Sequence, residues 1–124
     1  MMNHEKTRQY YAHLTEADLC DCAYCRNYRK EIRGAYPELS GFLREIGVDI
    51  EKPLEVIPIA PDQETMYYGG VQYVVMGTAE DFRESSVGDV RVSVTDSHPM
   101  TDVKEDHFVI ETSSLRMKWS GDER

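Results

Sequence analysis

No stretch of this chain approaches the roughly 18 consecutive apolar residues that a membrane-spanning helix requires. The opening Met1-Met2-Asn3-His4-Glu5-Lys6-Thr7-Arg8 lacks the apolar core of a secretory signal. The expected setting is therefore the cytoplasm, where thiols stay reduced. Positive charge is scarce: 14 Lys and Arg face 23 Asp and Glu, for a net charge of -9. That balance argues against nucleic acid and anionic membranes as partners, because both are held by clustered cations. Glycine-rich phosphate loops, nucleophile elbows and paired-acid motifs are missing too. There is no fourth cysteine. An odd set of three cannot pair fully within one chain, so a disulfide framework is the least expected use of them.

What is present fits one ordinary domain over residues 1–124, 40% hydrophobic and 30% charged, without repeats or an internal linker. Residues 1–8 and 120–124 read as frayed polar tails. The spacing of apolar residues changes once, near Pro53, from a helical period to a strand period. Thr15-Glu16-Ala17-Asp18 carries an N-cap signal that opens no more than a turn. From Cys22 to Ala35 a helix is expected, with Cys25, Tyr28, Ile32 and Ala35 on one face and Arg26, Arg29, Lys30 and Arg33 forming a basic outer surface. Tyr36-Pro37 closes it, since a residue before proline avoids the helical region.

A second helix spans 37–46. Pro37 suits its first position, Leu39, Phe42, Leu43 and Ile46 form its apolar stripe, and Gly47 suits the residue just past its end. The stripe is expected to pack on Val92, Val94, Phe108 and Ile110. After Pro53, the segment Leu54–Ile59 contains Pro58 and so reads as an edge strand. Gly69-Gly70 between Met66-Tyr67-Tyr68 and Val71–Met76 reads first as a hairpin turn, with one long strand and a glycine bulge as the alternative. Val90, Val92 and Val94 alternate with polar residues, and further strand signals lie at His107–Glu111 and Leu115–Trp119. The expected class is α+β: N-terminal helices packed on a C-terminal antiparallel sheet of three to five strands. The tyrosines of the central strands, Tyr67, Tyr68 and Tyr73, are expected to cover sheet and core, with a tyrosine-lined groove as the functional alternative.

Cys20-Asp21-Cys22-Ala23-Tyr24-Cys25 carries the chemistry. Thiols at i, i+2 and i+5 before a helix can converge on one soft ion, and zinc is the expected cofactor because an iron–sulfur cluster takes four cysteines. A fourth ligand is not local. His13 and His98 are the first candidates, followed by His107, a carboxylate or a thiol from a second chain. Three thiolates on a divalent ion leave a negative complex, which Arg26 and Arg29 would offset. Ordinary reduced, partly buried cysteines are the plainer alternative. A third reading uses Cys22-Ala23-Tyr24-Cys25 for redox or nucleophilic thiol chemistry. It resembles the Cys-Pro-Tyr-Cys of glutaredoxins, but no buried strand precedes it and Asp18 and Asp21 oppose a thiolate.

Three blocks together resemble a group of small bacterial proteins of uncharacterised activity with an N-terminal C-x-C-x-x-C motif: Cys20 to Tyr28, Tyr36-Pro37-Glu38-Leu39 through Gly47 to Glu55, and Ser97-His98-Pro99. The likeness runs from about residue 18 to Trp119. It implies a self-contained cytoplasmic domain and transfers no catalytic residue. The function expected from sequence is a small non-catalytic binding or interaction domain with a structural zinc, acting on an unidentified ligand or protein. A homodimer is plausible from an exposed sheet edge and the odd cysteine count. The alternative is a small thiol-dependent enzyme using Cys22 and Cys25.

Overall fold

The computed structural model describes residues 1–119, so the tail expected at 120–124 lies outside the described residues. Three α-helices precede a single antiparallel sheet of six strands, the α+β class expected. The helices are α1 His4–His13, α2 Ala23–Ala35 and α3 Pro37–Glu45. The strands are β1 Glu55–Asp62, β2 Thr65–Met76, β3 Ser85–Val87, β4 Val90–Thr95, β5 His107–Thr112 and β6 Leu115–Lys118. They run β1-β2-β5-β4-β3 across the sheet, with β6 also paired to β2.

Residues 1–8 are not a frayed tail. Asn3 caps α1 by accepting the Lys6 N–H at 2.9 Å. Met2 bridges to Gly77, and the Asn3 N–H donates to the Met76 carbonyl at 2.9 Å. Thr7 and Tyr11, one turn apart, are the buried residues of the helix. The Thr7 hydroxyl accepts the Met76 N–H at 3.0 Å, and the Tyr11 hydroxyl donates to the Val74 carbonyl at 2.7 Å. Such a helix docks through hydrogen bonds and two adjacent aromatic rings, Tyr10 and Tyr11, and so leaves almost no apolar period in the sequence.

The other two helices follow their local signals. Thr15–Asp18 forms one 3-10 turn over Glu16–Asp18, in which Asp18 accepts the Thr15 N–H at 2.9 Å. In α2, Cys25, Tyr28 and Ile32 are buried as expected, but Ala35 is exposed and Asn27 takes its share of the inner face. In α3, Leu39, Leu43 and Ile46 reach the core while Phe42 is only half-buried. Val92 and Ile110 belong to that core and Phe108 borders it, whereas Val94 is 42% exposed and lies outside the contact surface expected for it. Gly47 ends α3 with φ of +92°, and a Cβ there would stand 2.6 Å from the His4 carbonyl oxygen. The residue must therefore be glycine both for its conformation and for the passage of α1.

Gly69-Gly70 does not turn the chain. It sits inside the twelve-residue β2, where the pairing with β1 slips between Ile57 and Pro58 and again before Ala60. The reason is parity. Met66 and Tyr68 face the main core before the glycines, and Val71, Tyr73 and Val75 face it after them. The step from 68 to 71 is odd, and alternation allows only even steps on one face, so a bulge is required. The partner strand has the same break. Ile110 and Thr112 are buried, then Leu115 and Met117, with Ser113-Ser114 between them. Ser113 fixes that kink: its N–H donates to the Arg91 carbonyl at 2.8 Å and its hydroxyl accepts the Arg91 N–H at 2.9 Å. One interrupted strand thus counts as β5 and β6, which raises the total above the expected three to five. From Gly70 to Met76 every residue of β2 is buried, since Val74, Met76 and Val109 form a second small core with Tyr10, Leu54 and Val103 on the other face.

The odd step also sorts the tyrosines. Tyr68 and Tyr73 share the inner face with Tyr28 of α2, all fully buried. Tyr28 and Tyr68 meet edge to face at 5.4 Å. The Tyr73 hydroxyl donates to the Ile50 carbonyl at 2.7 Å and is bonded to the Tyr28 hydroxyl. The Tyr68 hydroxyl donates to the Tyr24 carbonyl at 2.7 Å. These rings are core, and Tyr67 is left half-buried beside Tyr36 in an open groove.

Candidate metal centre

The cysteine segment forms the entry to α2. Cys22 is its N-cap, and its Sγ accepts the Cys25 N–H at 3.5 Å. Cys25, in the first turn, points into the core, while Cys20 and Cys22 stay exposed. The three Sγ atoms lie within 4.8 Å of one another. The expected trio is brought together, and none of the three is in a disulfide.

Two arginines fold back on this loop. Arg29 Nη1 donates to the Cys20 carbonyl at 2.8 Å, and Arg26 Nη1 donates to the Asp21 carbonyl while approaching the Asp21 carboxylate at 3.7 Å. Their cationic ends thus lie against the cysteine loop, as a negatively charged site would need. The cluster opens on a cleft of about 150 Å³ whose other wall is Pro53 to Val56, at the start of β1. Local spacing gives no sign of that wall.

The thiols differ in acidity. Burial works against ionising Cys22, but the N–H groups of Cys25 and Tyr24 and hydrogen bonds from the other two thiols outweigh it, so its thiol is held below the usual range. Burial first, then the neighbouring thiols, pushes Cys25 far up. Cys22 therefore ionises more easily than Cys25.

The histidines lie elsewhere. His13 is exposed on α1, its Nδ1 donating to the Gln9 carbonyl at 2.7 Å. His98 is exposed, its Nδ1 bonded to the Pro99 carbonyl at 2.8 Å. His107 has both ring nitrogens engaged, with the Glu105 carbonyl at 2.8 Å and the Thr101 hydroxyl at 2.7 Å. Among the described residues, no histidine or carboxylate joins the thiols within that 4.8 Å spacing. The Asp18 carboxylate, on the cleft wall, is already held by Thr15.

Fold and site define an α+β domain with a convergent three-thiol cluster at a helix start. Comparison with protein-family models, curated proteins and solved structures finds no match to this chain. No helix among the described residues is long and apolar enough to cross a membrane.

Proposed function

We propose that this chain is a small non-catalytic binding domain whose α2 entry is organised by a zinc ion on Cys20, Cys22 and Cys25. The observation that carries the reading is the convergence of three Sγ atoms within 4.8 Å. Zinc–sulfur bonds of about 2.3 Å in a tetrahedron separate thiolates by about 3.8 Å, so small side-chain adjustments suffice. The thiolates prefer a soft or borderline ion, and the inward-folded Arg26 and Arg29 balance part of their charge. Three protein donors leave the fourth position to water or to a donor from a ligand or partner, which suits a domain that binds rather than one that only needs a staple. Three reduced thiols fit a reducing compartment such as the cytoplasm.

Zinc analysis of the purified protein beside a free-thiol count tests this. One zinc per chain with slowly reacting thiols is expected, together with a chelator-induced fall of several degrees in melting temperature, because the start of α2 is tied to the ion. Cobalt substitution should give thiolate-to-metal absorption that Cys22→Ser weakens. Metal-free protein that takes up neither ion overturns the proposal. If one thiol of that protein also reacts fast, the second reading stands instead: a thiol-dependent enzyme with Cys22 as the reactive group, favoured by its capping position and lowered thiol pKa.

A further inference from the structure

Cations from several elements gather at a place other than the outer face of α2. Arg8 of α1, Arg33 of α2, Arg44 of α3 and Lys52 of the following loop border one cavity of about 320 Å³. Four of the chain's 14 basic residues therefore meet at one concavity of a protein with net charge -9.

Little of that charge is neutralised. Lys52 Nζ donates to the Tyr11 and Leu14 carbonyls at 2.7 and 3.0 Å, both uncharged acceptors, which fixes the ammonium in place, and it is in no ion pair among the described residues. Arg44 is in no ion pair among the described residues. Among the described residues Arg8 is paired only with Glu5, at 3.8 Å and exposed, on its own helix. Arg33 alone is well matched, by Glu51 at 2.7 Å and Asp49 at 3.3 Å. Asp49, the carboxylate on the cavity wall, is occupied by Arg33 and by the Glu51 N–H. Ser40 adds a hydroxyl to the lining. Helix dipoles account for Arg44 in the last turn of α3 and for Lys52 at the end of α1. They do not account for Arg8 in mid-helix, nor for the open space between the cations.

We infer that this cavity is a binding site for the phosphate group of a small molecule, held by Arg8, Arg44 and Lys52 with Ser40 as a neutral donor. Two guanidiniums and an ammonium arriving from three elements suit a tetrahedral oxyanion, whereas a planar carboxylate is satisfied by one guanidinium fork. The volume lies at the small end of ligand pockets, and the acidic remainder of the surface excludes a long polyanion. The site shares no residue with the cysteine cleft, so it stands or falls independently of the zinc.

Calorimetric titration of the full chain with inorganic phosphate and with glycerol phosphate, at fixed ionic strength, tests it. Saturable one-site binding of at least one of them is expected, with acetate roughly tenfold or more weaker. Tighter binding of the ester assigns the source to a phosphorylated metabolite, and tighter binding of the inorganic ion to free phosphate. Arg44→Gln and Arg8→Gln should each weaken binding roughly tenfold without shifting the melting temperature of the free protein, while Lys30→Gln, exposed on α2 and outside the cavity, should leave binding unchanged. Lack of saturable binding to either phosphate overturns the inference. So does equal weakening by Lys30→Gln, which would mean diffuse attraction, or unchanged binding in both arginine variants.

Discussion

Each buried tyrosine hydroxyl of this core is hydrogen-bonded to another polar group. Tyr73 is the clearest instance, since its hydroxyl serves both the Ile50 carbonyl and the Tyr28 hydroxyl. Tyr73→Phe keeps the ring and strands both partners, a change that costs about 1–3 kcal/mol. Tyr67→Phe, on the half-exposed outer position, should stay within about 0.5 kcal/mol of the parent. Denaturant titration of the two variants separates them, and equal losses would mean the hydroxyl network carries no special weight. Abundance of tyrosine is plain in the sequence. Which rings are inside is not, because the bulge at Gly69-Gly70 reverses the face that simple alternation assigns.

At the scale of elements, α3 rests on its apolar stripe, yet the stripe is not uniform. Leu43 is fully buried and Phe42 is not, because residues one apart on a helix point about 100° from each other and only one can aim at the core centre. Leu43→Ala should therefore cost about 2–5 kcal/mol in unfolding free energy, and Phe42→Ala clearly less. If Phe42→Ala proves the costlier in chemical denaturation, the helix is rotated from this placement. Gly47→Ala probes the junction of α1 with the end of α3. The strained φ and the collision with the His4 carbonyl should lower stability by more than about 1 kcal/mol and speed hydrogen exchange in α1 before α2. Uniform exchange across all three helices would detach α1 from this contact. The end of α2 and both ends of α3 were readable from Pro37 and Gly47, residues whose own backbone preferences mark an end. α1 was not readable, because the groups that hold it are supplied by β2.

For the whole molecule, the buried tyrosines set a response to alkali. Burial above all raises Tyr28 and Tyr73 well beyond the ordinary tyrosine value, and pushes Tyr68 up to about 12. Their native values exceed the unfolded one, near 10, so the native state keeps protons that the unfolded chain releases. The stability they contribute is complete below about pH 10 and is lost as pH climbs from there toward the native values. Tyrosinate absorbance of these residues should therefore appear together with loss of the folded circular dichroism spectrum above about pH 10. Ionisation of all eight tyrosines in a chain that keeps its native spectrum would contradict the burial.

The sequence by itself determined the α+β class, the change from helix to strand near Pro53, the edge position of β1 through Pro58, and the three cysteines that meet at the start of α2. Each of these depends on backbone preference or spacing over a few residues, and such information is local. Only the tertiary structure decided that residues 4–13 form a docked helix, that β2 and its partner break opposite each other at Gly69-Gly70 and Ser113-Ser114, and that the histidines stand apart from the thiols. It also decided that Arg8, Arg33, Arg44 and Lys52 face one cavity. Contacts such as Tyr11 with Val74, 63 residues apart, are set by how whole faces pack, and many pairings are equally compatible with the same local pattern until the core is filled.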